Sequence, residues 1–332
     1  MSESALRTKW IVAGLALGGV VVVSLIVLVA SLGGDDGTEQ VETTTSTTST
    51  TSTTSTTGVP TTSRATQGPD EPDDVEVFEL TLQVGGATRS ATVISPVGIG
   101  PSERLGSVVA LHGLGVNAMA MSRTADWRSA VARDRFVAVF PQGINDSWNM
   151  GPCCPPANLL GVADMAFMDQ LVATLGARDD LDADRMYLTG FSNGALFSYA
   201  YACDHPEAFA AIAPMAGTNV GGCRPERPVS LLHQHGDADL VIPYQGGIAL
   251  GSVLSAAPFP PVQDSVAAWA EADGCGADPV ETIEADVVRT SWTGCAEGTR
   301  VELVRVPGKG HVWPNNGQFD PLDEMLGFFG LR

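Results

Sequence analysis

The chain has 332 residues, of which 17% are charged, and its formal net charge is −20, from 18 basic and 38 acidic side chains. An acidic chain without basic clusters is not expected to bind nucleic acid or other polyanions, so we predict no nucleic-acid partner. The length allows one large domain or two small ones.

The first 34 residues predict a membrane anchor. Residues 10–34 carry no charge and consist mainly of Val, Leu, Ile, Ala and Gly, which is enough to cross a hydrocarbon core of about 30 Å. Residues 1–9 contain Arg7 and Lys9, and acidic residues follow the apolar stretch. This asymmetry predicts a cytoplasmic N-terminus and an extracytoplasmic protein attached to the membrane. The alternative is a cleaved signal sequence ending near Ala30, which would make the protein secreted.

A Thr- and Ser-rich segment, residues 35–74, follows the predicted anchor. It has no apolar periodicity and cannot bury a core, so we expect a disordered linker. The compact domain is then residues 75–332, which is long enough for one large core.

Strand and helix patterns alternate through this domain. The predicted strands span residues 75–84, 88–95, 107–111, 136–140, 186–189, 209–214, 229–233 and 301–306. The predicted helices span residues 119–132, 162–177, 195–203, 262–272 and 322–331. The first two strands form a hairpin across Gly85-Gly86, and the rest predict an α/β fold, a mostly parallel central sheet with helices on both faces.

The most informative motif is Gly-Phe-Ser-Asn-Gly at residues 190–194, between a predicted strand and a predicted helix. A Gly-x-Ser-x-Gly turn in this context exposes the serine hydroxyl as a nucleophile. The glycines leave room for the sharp corner, where a Cβ would clash. We therefore predict Ser192 as the catalytic nucleophile.

A serine nucleophile needs a base and an acid, and the residues after later strands supply both. His311 lies in a glycine-rich loop after the last strand, which could bring an imidazole over the serine. Asp239 and Asp237 both follow the strand at residues 229–233, and we favour Asp239 as the acid, with Asp237 as a turn residue. The order Ser192, Asp239, His311 is that of α/β-hydrolases.

The oxyanion hole of such a site requires two backbone amides. The amide of Asn193 follows the nucleophile directly. The second is expected from Leu114, in the His-Gly-Leu-Gly turn after the strand at residues 107–111.

Six cysteines form an even set in a domain predicted to be extracytoplasmic, so we expect disulfides. We predict one bond between Cys275 and Cys295. The remaining prediction is that Cys153 and Cys154 pair with Cys203 and Cys223, in an order left open. A zinc site is the weaker alternative, because no Cys-x-x-Cys pair occurs.

These motifs together resemble the polyhydroxybutyrate depolymerase and feruloyl esterase branch of the α/β-hydrolases, over residues 80–329. The resemblance is carried by Leu-His-Gly at 111–113, Trp-Asn-x-Gly-x-Cys-Cys at 148–154, Gly-x-Ser-Asn-Gly at 190–194, His-Gly-x-x-Asp at 235–239 and Gly-His-x-Trp-Pro at 310–314. It implies the α/β-hydrolase fold, the triad Ser192, Asp239 and His311, and a substrate pocket lined by Trp148, Phe191 and Trp313.

The function implied is an extracytoplasmic serine esterase that cleaves 3-hydroxyalkanoate esters or oligomers through an acyl-enzyme, without cofactor or metal. The alternatives are a feruloyl or acetyl esterase acting on plant polysaccharide, and a cell-envelope acyltransferase. A hypothesis of a different class is a tethered binding module without turnover. Besides the ester substrate and the membrane, no obligate protein partner is predicted.

Overall fold

The computed structural model describes residues 60–64, 74–151, 153–248 and 258–332. Within these ranges, eleven strands form one sheet in the order β1-β2-β3-β5-β4-β6-β7-β8-β11-β10-β9. They are β1 Thr61–Arg64, β2 Val75–Val84, β3 Ala87–Pro96, β4 Leu105–Leu111, β5 Val137–Pro141, β6 Leu181–Phe191, β7 Ala211–Met215, β8 Ser230–Gly236, β9 Val280–Glu284, β10 Val287–Trp292 and β11 Val301–Val306. The six central strands, β5 to β11 in sheet order, are parallel, and the outer strands at both ends are antiparallel.

Helices cover both faces of the sheet. They are α1 Ala118–Met121, α2 Trp127–Asp134, α3 Asp164–Gly176, α4 Asn193–Asp204, α5 Val262–Ala272 and α6 Pro321–Phe328. Successive side chains of a strand point to opposite faces, so on β4 Val109 and Leu111 join the apolar cluster of α3, α4 and α5. Val108 and Ala110 join the cluster of α1, α2 and α6 on the other face. The predicted α/β architecture is confirmed.

The eight predicted strands are present, but three others were not predicted. β9 and β10 form an edge hairpin, and the side chains of β9 are exposed throughout, so no buried apolar face marked it in the sequence. The helix predicted at residues 119–132 is wrong, since the chain forms α1 and α2 instead. Asp126 begins α2 by accepting a hydrogen bond from the Ser129 amide, which ends any continuous helix through this point.

Part of the predicted linker is also ordered. Thr61–Arg64 pairs antiparallel with β2 as strand β1, because backbone hydrogen bonds to a sheet edge require no apolar periodicity. The rest of the N-terminal segment, including the anchor predicted at residues 10–34, lies outside the described residues. In the ranges that are described, no helix has both the length and the apolar character needed to span a membrane.

The described cysteines form three disulfides. The Cys275–Cys295 bond is as predicted, but the prediction for the other four is wrong, because Cys153 bonds to Cys154 and Cys203 to Cys223. Cys203 lies in the last turn of α4 and Cys223 lies after β7, with their Cα atoms 6.2 Å apart, an ordinary disulfide separation. Cys153 and Cys154 are buried in the core beside α3 and α4.

A buried ion pair joins the sheet to α3. The Arg89 guanidinium on β3 donates to Asp164 Oδ1 at 2.7 Å, and both side chains are buried. The second oxygen, Asp164 Oδ2, accepts from the Asn149 amide at 2.8 Å. From the sequence, Asp164 is interpreted as a solvated or capping residue of the predicted helix; that interpretation misses its burial, because its partner lies on a distant strand. The pair fixes the loop between β5 and α3 against the sheet.

Arg89→Met is expected to lower the free energy of unfolding by about 3–5 kcal/mol, because it leaves the Asp164 carboxylate buried without its partner. Urea unfolding followed by circular dichroism measures this change. The double variant Arg89→Met/Asp164→Leu should recover part of the loss, since it also removes the buried charge. A single variant as stable as the wild type would contradict the prediction.

Candidate active site

The turn between β6 and α4 exposes Ser192 at the carboxyl edge of the sheet. Ser192 has φ 56° and ψ −119°, a conformation that non-glycine residues rarely adopt outside such constrained sites. A Cβ on Gly190 would meet the backbone of Gly194, and a Cβ on Gly194 would meet the carbonyl oxygen of Leu111. The predicted strand, turn and helix are therefore confirmed, together with the steric reason for both glycines.

Three side chains predicted to act together lie in one hydrogen-bonded series. Ser192 Oγ lies 2.8 Å from His311 Nε2, and His311 Nδ1 lies 2.7 Å from Asp239 Oδ2. The other oxygen, Asp239 Oδ1, accepts from the amides of Val241 and Ile242 at 2.8 and 2.9 Å. This pattern places the His311 proton on Nδ1, facing the carboxylate, and leaves Nε2 free to accept the serine proton.

The environment of Asp239 favours its ionised form. Burial alone would raise the pKa of Asp239, but hydrogen bonds from His235 and His311, with the Ile242 amide, hold it below its ordinary value. A carboxylate in this state can orient an imidazole and stabilise it when it takes up a proton.

The alternative acid, Asp237, serves a different contact. Asp237 Oδ2 accepts from Arg305 at 2.8 Å, and its Oδ1 accepts from the Gly308 amide at 2.7 Å. Asp237 therefore ties the loop that carries His311 to β11, and the structure brings Asp239, not Asp237, to the imidazole.

The two segments predicted to supply the oxyanion hole lie next to the serine. A Cβ built on Gly113, next to Leu114, would lie 3.4 Å from Ser192 Cβ, and Asn193 follows the serine directly. In the part of the chain that the structure describes, neither the Leu114 nor the Asn193 amide donates to a protein acceptor. Both are available to a developing oxyanion, as such a site requires.

His112 holds the loop of Leu114 in place. Its Nδ1–H donates to the carbonyl of Gly113 at 2.9 Å, and its Nε2 accepts from the Gly143 amide at 2.9 Å. This use of both ring nitrogens requires the neutral imidazole, and burial lowers the pKa of His112 accordingly.

The prediction that Trp148 lines a substrate pocket is wrong, because its side chain is fully buried. Its Nε1–H donates to the carbonyl of His112 at 2.9 Å, and its ring packs between Phe167 and Phe197. The Asn193 side chain makes two hydrogen bonds to the Trp148 backbone. It accepts from the Trp148 amide at 2.7 Å and donates to the Trp148 carbonyl at 3.1 Å. Trp148 therefore stabilises the loop of His112 and the turn of Asn193 from the core. Besides its predicted oxyanion amide, Asn193 has a second role, since its side chain holds the Trp148 backbone, and its position in the motif did not reveal this.

The two other predicted pocket residues lie nearer the surface. The half-buried Phe191 has its ring 5.1 Å from that of His311. The half-buried Trp313 packs edge-on against Trp127 at 6.5 Å. Phe191 thus lies beside the reacting His311, whereas Trp313 packs against the buried Trp127 of the core.

A cavity of about 350 Å³ runs beside α4. Its apolar lining includes Met150, Met165, Leu196 and Val220. The lining also includes the polar residues Asn149, Asp204 and Asn219, and it does not include Ser192, Asp239 or His311.

The sheet and this arrangement of serine, histidine and aspartate define an α/β-hydrolase. Residues 90–233 match the model of the esterase PHB depolymerase family. The chain is 30% identical to putative esterase NocK of Nocardia uniformis subsp. tsuyamanensis over 237 residues, 65% of this chain and 67% of that protein. The chain belongs to the esterase PHB depolymerase family.

Two further similarities agree with this assignment. Feruloyl esterase B of Piromyces equi is 28% identical over 210 residues, 58% of this chain and 38% of that protein, so the chain spans well under half of this relative. The acetyl xylan esterase structure from Aspergillus awamori superposes with a TM-score of 0.55 at 16% identity, covering 82% of this chain and 100% of that one. This structural similarity shows the shared α/β-hydrolase fold.

Proposed function

We propose that this protein is a serine carboxylic ester hydrolase that acts through an acyl-enzyme. The observation that carries the proposal is the continuous series from Ser192 Oγ through His311 to Asp239, with distances of 2.8 and 2.7 Å. Membership of an esterase family supports the same reaction class.

In the proposed reaction, Ser192 Oγ attacks the ester carbonyl carbon while His311 Nε2 takes the serine proton. The amides of Leu114 and Asn193 donate to the resulting oxyanion. The intermediate collapses when His311 gives its proton to the leaving alcohol, which leaves the acyl group on Ser192. Water then attacks this acyl-enzyme with His311 as the base, releasing the acid and restoring the serine. Asp239 orients His311 throughout, and no cofactor is required.

Two substrate classes are candidates. Esters or oligomers of 3-hydroxyalkanoates are one, supported by the family match. Aryl or acetyl esters of plant polysaccharide are the other, supported by the similarity to feruloyl esterase B.

A hydrolysis panel tests the proposal and separates these classes. The purified full chain is assayed with short p-nitrophenyl esters, methyl ferulate and 3-hydroxybutyrate oligomers. Selective release of 3-hydroxybutyrate supports a depolymerase-type esterase, and preference for methyl ferulate supports the plant-polysaccharide class. Acyl transfer to an added sugar acceptor in place of hydrolysis would indicate an acyltransferase. A folded protein that neither hydrolyses esters nor reacts with a fluorophosphonate probe would indicate a binding module.

We also propose an extracytoplasmic location. The three disulfides support it, since such bonds persist in oxidising compartments. Attachment through residues 10–34 remains a prediction, and cell fractionation with N-terminal sequencing of the mature protein would separate an anchor from a cleaved signal.

A further inference from the structure

A row of buried polar side chains ends beside Asp239. The Tyr199 hydroxyl on α4 is 2.8 Å from His233 Nδ1, and His233 Nε2 is 3.1 Å from His235 Nδ1. His235 Nε2 in turn lies 2.9 Å from the carbonyl oxygen of Ile242 and 3.4 Å from Asp239 Oδ2. The proposed mechanism does not use Tyr199, His233 or His235, although buried polar groups in such rows rigidify their surroundings when all are satisfied.

The two acceptors at the Asp239 end of the row determine which ring nitrogen of each histidine carries the proton. His235 Nε2 faces a carbonyl and a carboxylate, which only accept hydrogen bonds, so Nε2 carries the proton. His235 Nδ1 is then an acceptor and takes the Nε2–H of His233. His233 Nδ1 is left to accept from the Tyr199 hydroxyl. The row therefore runs in one direction, with Tyr199 as the first donor and Asp239 beside the last.

Burial keeps two members of the row, His233 and Tyr199, neutral. Burial, together with the neighbouring His235, lowers the pKa of His233 well below its ordinary value. Burial likewise raises the pKa of Tyr199 well above its ordinary value.

We propose that His235 is a positioning residue. Its Nε2–H, whose direction is held by His233 and Tyr199, stabilises the ionised carboxylate of Asp239, which in turn orients His311. The inference rests on the proposed function. Asp239 Oδ2 contacts both imidazoles: His311 receives and returns the serine proton in the proposed reaction, and His235 acts only as a hydrogen-bond donor.

Other charged or titratable groups near His235 are accounted for. The Tyr244 ring packs edge-on at 5.9 Å. Arg305 on β11 lies opposite His235 in the sheet register, but its guanidinium is paired with Asp237 at 2.8 Å. Asp239 is thus the charged group nearest to His235 Nε2, at 3.4 Å, while the shorter hydrogen bond of this nitrogen goes to the Ile242 carbonyl at 2.9 Å.

The pH dependence of catalysis tests this role. The pair of Asp239 and His311 takes up one proton at the acid limb of kcat/KM, and a donor to the carboxylate favours the unprotonated, negative pair. Loss of the donor should therefore move the acid limb to higher pH. For His235→Leu we expect a shift of about one pH unit and a fall in kcat of about tenfold, with KM little changed.

His235→Gln is the matched control, because its amide can place an N–H donor where the imidazole Nε2–H lies. We expect its acid limb to coincide with that of the wild type. A merely structural role would lower activity equally at all pH values and leave both limbs in place. Equal acid limbs in the folded Leu and Gln variants would overturn the proposal.

Tyr199→Phe decides the matter if His235→Leu does not fold. Without the hydroxyl, His233 Nδ1 loses its donor, so the His233 ring, and through it the direction of the His235 Nε2–H, is held less firmly. A smaller upward shift of the acid limb is expected, and an unchanged limb would overturn the inference. The rate of fluorophosphonate labelling against pH gives the same readout without a known substrate. A wild-type chain that neither labels nor hydrolyses esters would instead refute the proposed function.

Discussion

Ser192→Ala is expected to lower kcat for ester hydrolysis by about 10⁶-fold while leaving the fold intact. The alanine removes the only atom that bonds covalently to the acyl group, and His311 Nε2 then has no hydroxyl to activate at 2.8 Å. What activity remains would come from the oxyanion amides and substrate binding alone. Steady-state hydrolysis of p-nitrophenyl esters and fluorophosphonate labelling measure the loss.

Ser198→Ala provides a matched control on the same helix. The Ser198 hydroxyl is buried and donates within α4 to the carbonyl of Gly194 at 2.8 Å. Its loss should affect stability slightly, with probe labelling retained. Comparable turnover by the Ser192→Ala protein and the wild type would refute the assignment of the nucleophile.

The second large effect is expected for Asp239→Asn, with kcat/KM near neutral pH lower by about 10⁴-fold. Asp239 Oδ1 accepts two backbone amides, from Val241 and Ile242, so the oxygen of an asparagine amide would take that place. Its NH₂ would then face His311 Nδ1 and force the imidazole proton onto Nε2. An Nε2–H pointing at Ser192 cannot accept the serine proton, so the wrong tautomer would block attack.

Asp237→Asn separates this effect from a general loss of negative charge. Asp237 contacts Arg305 and the Gly308 amide, not the imidazole, so we expect much of the activity to remain. Comparable losses in the two asparagine variants, measured as kcat/KM across pH, would contradict the assigned role of Asp239.

The sheet was predictable because its signals are local. Apolar runs of strand length alternate with helical stretches, and such a pattern has one common solution, a parallel sheet covered on both faces. The edge strands β1 and β9 escaped prediction because pairing at an edge uses the backbone and leaves the side chains exposed. The helix predicted through residues 119–132 failed because a single capping carboxylate, that of Asp126, restarts the helix.

The same topology also predicts that the three catalytic side chains lie close together. Ser192, Asp239 and His311 each come after a parallel strand, so the fold carries them to one edge of the sheet. The cysteine pairing did not follow, apart from Cys275–Cys295, since sequence spacing does not reveal which loops meet.

The sequence by itself therefore determined the fold class and the order of three reacting side chains, because strand periodicity and a Gly-x-Ser-x-Gly turn are local properties of the chain. Only the tertiary structure decided which side chains support them. Trp148 lies beneath the nucleophile, Arg89 meets Asp164, and Tyr199 aligns two histidines behind Asp239. The three contacts join residues that are 34 or more positions apart in the chain, and buried hydrogen bonding selects them only once the layers have packed.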